Sequence, residues 1–146
     1  MSDTPELGNV LAFDFGERRV GVAVGALQLR LAHPLTTLTV RSDAERIAQV
    51  APLVGEWEPV LFVVGRPAHS DGRAHELAGR CERFARRLTA TFRVPAVLVD
   101  ETLSSHAAAL SLAEAGVRGR RQGEMIDQVA AQHILQSYFD SAHAAA

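Results

Sequence analysis

Lysine is missing from this chain: all 15 of its basic residues are arginine. No lysine nucleophile, Schiff base or phosphate-loop lysine is therefore available. Cysteine is nearly missing too. With Cys81 alone there is no intramolecular disulfide and no thiolate cluster for a metal, which fits a reducing compartment. Net charge is close to zero, at −2 with a pI near 6.3, so a nucleic-acid partner has to be met by a local basic patch and not by an overall positive field. No apolar run approaches the ~20 residues that span a bilayer. The first residues, "MSDTPELG", lack the charged-then-apolar build of a signal peptide. The expectation is a cytoplasmic protein without membrane association. No GxGxxG follows the first strand, "GRPAHSDG" lacks the Walker lysine, and no GxSxG elbow occurs. The histidines form no zinc pattern.

What is present is an ordinary globular composition, 47% hydrophobic and 22% charged over 146 residues. That length suits one domain over 1–146, with 1–8 and 140–146 expected as flexible ends. Three strand signals come first, "NVLAFDF", "RVGVAVG" and "LAHPLTTLTV", the first two close enough for a hairpin. The period then changes. Ser42 or Asp43 can cap a helix in which Ile47, Val50, Leu53 and Val54 recur at helical spacing until Gly55. "PVLFVVG" and "VPAVLVD" are continuous apolar runs, the mark of strands covered on both faces. Between them Ala74, Leu77, Ala78, Cys81, Phe84, Ala85 and Leu88 form one apolar helical stripe, which makes Cys81 a core residue. Arg80, Arg83 and Arg87 lie opposite, with Glu76–Arg80 and Glu82–Arg86 spaced as i,i+4 pairs. A short helix over about 105–115, a basic loop "VRGRRQG" and a last helix over about 124–139 complete the chain. The order βββαβαβαα predicts an α/β fold: a mixed sheet, its first three strands an antiparallel meander, with helices on both faces.

Three acids stand out by position. Asp14 ends the first strand, Glu101 follows the last, and Asp127 lies on the helix face of Ala130, Ala131, Ile134 and Tyr138, which the apolar pattern makes the buried face. A buried carboxylate needs a metal or a cationic partner. Ligands in open α/β sheets gather at the carboxyl ends of parallel strands, where Asp14 and Glu101 sit. Carboxylates are hard ligands suited to Mg²⁺ or Mn²⁺, and such ions serve phosphodiester cleavage. Each acid also has a plainer reading. Asp14 can brace a turn, Glu101 or its neighbour Asp100 can complement a helix N-terminus, and Asp127 can pair with an arginine. Arg18 and Arg19 after Asp14, and Arg118, Arg120 and Arg121 before Asp127, stand at two rims of such a site. There they are expected to contact phosphates without reading sequence.

"LAFDFGERRVGVAVG", "PLTTL", "VVGRPAHSDG", "VDETLSSHAA" and "IDQVAAQHILQSYF", in this order over about 9–139, resemble the YqgF/RuvX family. These are pre-16S rRNA nucleases of ribonuclease H-like fold, also described as Holliday junction resolvases. The resemblance implies a five-stranded mixed sheet and a metal-dependent site. The family's three acids fall on Asp14, Glu101 and Asp127. Two departures bear on substrate. "DETLSS" puts Thr102 where the family has arginine, and "GRPAHSDGR" puts Arg66 and His69 at altered places. The implied function is a Mg²⁺- or Mn²⁺-dependent nuclease maturing the 5′ end of pre-16S rRNA. The alternatives are a resolvase of branched DNA and a non-catalytic RNA-binding or transcription-associated factor. Symmetric junction cleavage demands a dimer, and no dimer face is announced, which leaves a monomer or a weak homodimer.

Overall fold

A computed structural model of the chain describes residues 7–67, 72–101 and 119–145, apart from the side chains of 73–74, 101, 119–122 and 142–145. Strands β1 (Asn9–Asp14), β2 (Arg19–Ala26) and β3 (Leu31–Thr39) form the predicted antiparallel meander. Helix α1 (Asp43–Trp57), strand β4 (Leu61–Pro67), helix α2 (Gly72–Phe92) and strand β5 (Ala96–Glu101) follow, and helix α3 (Gly119–Ala145) closes the chain. The sheet runs β3-β2-β1-β4-β5, with β4 parallel to both β1 and β5. The carboxyl ends of β1, β4 and β5 therefore share one edge.

Alternation along the strands divides the core in two. Leu11, Phe13, Val22, Phe62 and Val64 face α1 and α2, where Val50, Cys81, Phe84 and Leu88 meet them. Val10, Ala12, Ala23, Leu61 and Val63 face α3, against Ala131, Ile134, Leu135 and Phe139. By the same parity Asp14, two residues after Ala12, belongs to the α3 side.

Three helix boundaries differ from the sequence reading. Gly55 does not stop α1, which runs on to Trp57 and ends at Glu58 in the left-handed conformation (φ 46°), whose N–H donates to the Val54 carbonyl. The stretch 119–123, expected as a loop, is the first part of α3, and the helix continues past Phe139 to Ala145. The predicted helix over 105–115 lies outside the described residues, as do His69 and Thr102.

α3 also covers the open edge of the sheet. Gln132 Nε2 donates to the Ala32 carbonyl (3.0 Å), Ala32 N–H donates to Gln136 Oε1 (3.0 Å), and Gln136 Nε2 donates to the Arg30 carbonyl (3.1 Å). Near its start, Thr37 Oγ1 donates to the Glu124 carbonyl (2.7 Å) and Gln128 Nε2 donates to Thr37 Oγ1 (3.2 Å). Edge-strand groups that would otherwise invite a foreign strand are thereby used. The helix is also fixed in rotation, so one face is committed to the sheet.

Candidate functional site

Close approach explains how Asp127 reaches the sheet. β2 presents Gly21, Ala23 and Gly25 beneath α3. A Cβ at Gly21 would fall 1.9 Å from the Asp127 carbonyl oxygen and 2.9 Å from its Cβ, and one at Gly25 would fall 2.8 Å from the Phe139 ring. Only glycine fits at either place: at Gly21 the helix backbone occupies the space of a side chain, and at Gly25 the Leu31 carbonyl oxygen (2.5 Å) and the Phe139 ring do. Gly21 is the register partner of Asp14 across the β1–β2 ladder. The sheet thus sets Asp14 and Asp127 on the two sides of one glycine.

The Asp127 carboxylate is held under tension. Arg19 Nε lies 2.8 Å from Oδ2, and the Asp127 side chain is 18% exposed. That same oxygen is buried and accepts no hydrogen bond. The two facts are compatible: the guanidinium supplies charge at short range, but its N–H is not directed along the contact. Burial pushes the Asp127 carboxyl above the usual aspartate range, Arg19 pulls it back, and Glu124 raises it further. Arg19 is itself seated against α3, for a Cβ at Gly123 would lie 2.7 Å from its Nη1.

Beside this pair opens a cleft of about 610 Å³ lined by Gly16, Glu17, Arg18, Arg19, Thr39, Glu124 and Asp127. Arg18 thus stands where the sequence reading put it, on the turn after Asp14, whereas Arg19 is already the first residue of β2. Thr39 and Glu124 were missed. Glu124 carried a usable signal, since it lies one helical turn before Asp127.

The other expected residues divide clearly. Glu101 closes β5 as the register partner of Pro67, two residues beyond Val99, which is level with Gly65 and so with Asp14. Its backbone is at the right edge of the sheet; its side chain lies outside the described atoms. Arg118 lies outside the described residues, and Arg120 and Arg121 belong to the first turn of α3 and not to a loop. Asp100 points to the opposite face: Arg66 Nε donates to its Oδ1 (2.8 Å), and Arg66 Nη1 donates to Glu82 Oε1 (3.0 Å). It supplies no oxygen to the Asp14–Asp127 side. The i,i+4 pairs expected on α2 are also corrected. Among the described residues Arg80 pairs with Glu17 (3.4 Å) and Asp43 (4.0 Å), and Glu82 with Arg66. Cross-element carboxylates lie closer than those on the helix's own surface.

Whether these residues suit a divalent cation can be judged from their donors. Among the described residues no group of three or more His, Cys, Asp or Glu side chains is gathered for a metal. What is there is an aspartate at a strand end and a second, half-buried aspartate with a buried oxygen lacking a hydrogen bond. Hard carboxylate oxygens with an unsatisfied lone pair fit Mg²⁺ or Mn²⁺.

Residues 8–141 match the model of a protein family described as "RuvX: Holliday junction resolvase". The chain belongs to the RuvX family. Relatives named "Putative pre-16S rRNA nuclease" include that of Nitrosospira multiformis, 55% identical over 96% of this chain and 93% of its own. That of Nitrosomonas eutropha is 53% identical over 94% of this chain and 88% of its own. Among solved structures, Thermus thermophilus RuvC in complex with a Holliday junction substrate superposes with a TM-score of 0.61 at 16% identity, over 95% of this chain and 98% of that one. The fold is ribonuclease H-like, and RuvX membership makes the protein a nuclease, a hydrolase by class. No described helix is long and apolar enough to cross a membrane.

Proposed function

We propose that this RuvX protein hydrolyses phosphodiester bonds at the 5′ end of pre-16S rRNA, in the cytoplasm, with Asp14, Glu101 and Asp127 as the residues that hold Mg²⁺ or Mn²⁺. The observation that carries the reading is the buried Asp127 oxygen without a hydrogen bond, one glycine away from Asp14. The chemistry supplied by a divalent ion bound there is neutralisation of phosphoryl charge and acidification of an attacking water.

The protein's own share is positioning. Asp14 lies in a strand flanked by β2 and β4, so its carboxylate is delivered by a rigid support. Asp127 is delivered by a helix locked to β3 through Gln128, Gln132 and Gln136. Arg19 keeps the Asp127 carboxylate charged against the cost of burial. Arg18 lines the cleft beside it and grips the phosphate backbone, with Arg120 and Arg121, from the start of α3, and Arg118 as further contacts.

The test is cleavage of a 16S precursor bearing its 5′ extension, by the purified protein with and without Mn²⁺. Metal-dependent trimming that falls about a thousandfold in Asp14→Asn, with folding intact, is the expected result. Trimming by Asp14→Asn at the parent rate removes the mechanism. The family's description favours one second reading, resolution of four-way DNA junctions. The same assay on a labelled junction decides it, since paired symmetric nicks would replace RNA trimming. A protein that binds both substrates and cleaves neither is the non-catalytic factor.

A further inference from the structure

Arg46 is the one charged residue among the described residues that is fully buried, 2% exposed, and the site described above makes no use of it. It lies on α1, on the far side of the sheet from α3. Its Nη1 donates to Asp43 Oδ1 (2.6 Å), and its Nη2 donates to two backbone carbonyls, those of Gly16 (2.9 Å) and Glu17. The guanidinium carbon stands 4.6 Å from the centre of the Phe15 ring, which Arg80 also approaches, at 5.4 Å. Both carbonyls belong to the β1–β2 turn. The next carbonyl along, Arg18, accepts from Val40 N–H (2.8 Å). Three successive carbonyls of one turn are thus each held, two of them by a single side chain. The turn is also closed on itself, for a Cβ at Gly16 would lie 2.3 Å from the Arg19 carbonyl oxygen.

This turn forms a wall of the cleft with Gly16, Glu17, Arg18 and Arg19. We infer that Arg46 is a positioning residue for substrate: pinning the Gly16 and Glu17 carbonyls from behind fixes the direction in which Arg18 presents its guanidinium group to the phosphate backbone, beside the Arg19–Asp127 pair. The inference rests on the proposed reading of this cleft as the nuclease site. It requires arginine. A planar fork can serve a carboxylate and two carbonyls at once, whereas an ammonium is a point charge that cannot span them. A turn carrying a phosphate-gripping cation binds more tightly when its backbone is already fixed, because the entropy of ordering it is otherwise lost on association.

The test compares Arg46→Lys and Arg46→Met with the parent, each first checked for folding by thermal melting. A fluorescein-labelled structured RNA is titrated at several KCl concentrations, Mn²⁺ binding is followed calorimetrically, and kcat and KM are measured on the precursor. The expected result for Arg46→Lys is RNA binding weaker by roughly tenfold and a salt slope lower by about one unit. KM rises to match, while kcat and Mn²⁺ affinity stay within about twofold. Arg46→Met moves further in the same direction. If it fails to fold, Asp43→Ala replaces it, removing one anchor of the fork at a half-exposed carboxylate, with a smaller shift of the same sign. Folded variants with the parent's affinity and salt slope, or a loss confined to kcat, overturn the inference. An Arg18→Ala/Arg19→Ala double variant separates the two levels. If it too keeps the parent's salt slope, the reading of the cleft has failed, and the inference with it. If it alone loses binding, the inference fails while the reading stands.

Discussion

On one side of the sheet Phe13 meets Phe62 and Phe84 at centroid distances of 5.9 and 5.5 Å, and Phe62 meets Phe92 at 6.1 Å. On the other side Gly21 leaves room for the backbone of α3 itself and Gly25 for its Phe139 ring, with the small Ala23 between them in the core. The first face fills space with large rings and carries none of the proposed metal-binding carboxylates; its part in the cleft is indirect, through Arg46 held behind the β1–β2 turn. The second gives up side-chain volume, and what it gains is distance: a helix near enough to place a carboxylate over the end of β1. The lesson is that ring burial serves stability on one face and close approach serves the carboxylates on the other, within a single sheet.

Opposite perturbations should hurt the two faces. Phe62→Ala removes a ring from the aromatic side and is expected to cost about 3–5 kcal/mol in urea unfolding. Nuclease activity per folded molecule should be retained. On the α3 side the injury comes from addition: Gly21→Ala is expected to cost about 1–3 kcal/mol and to abolish cleavage even where the protein is folded, because α3 must lift off β2. Equal activity losses per folded molecule in the two variants would break the contrast.

A smaller effect concerns charge. Because burial raises the folded-state pKa of Asp127, the stability linked to this group is fully present below the unfolded aspartate range and is lost as pH rises through the folded value. Asp127→Asn should therefore be more stable than the parent at neutral pH without metal, the gap closing on acidification. Saturating Mn²⁺ should reverse the order. The parent gains about 2.7 kcal/mol at a hundred times Kd, whereas the variant gains little. The smallest effect is at the edge strand, where Gln132→Ala should cost about 1 kcal/mol and lower cleavage by no more than about twofold, because Gln128 and Gln136 still hold α3 to β3.

Much of this arrangement was readable from residue order. Strand signals marked all five strands, and the helical period placed Cys81 in one core and Asp127 on the buried face of the last helix. Other parts depend on partners distant in the chain. Arg46 falls in line with Val50 and Trp57, a visible wheel position, yet its burial makes sense only once carbonyls 29 and 30 residues earlier are folded beneath it. "GRRQG" reads as a loop because glycine costs about 1 kcal/mol within a helix. Here Gly123 instead makes space for the Arg19 guanidinium. Gln128, Gln132 and Gln136 recur every fourth residue, but only the strand order reveals that β3 is an edge in need of cover.

The most direct measurement is anomalous diffraction at the manganese edge from crystals soaked in Mn²⁺. The expected map shows a peak within on the order of 2–2.5 Å of carboxylate oxygens from both Asp14 and Asp127. A manganese ion bound by neither aspartate, or no peak between them at a concentration that supports cleavage, would contradict it.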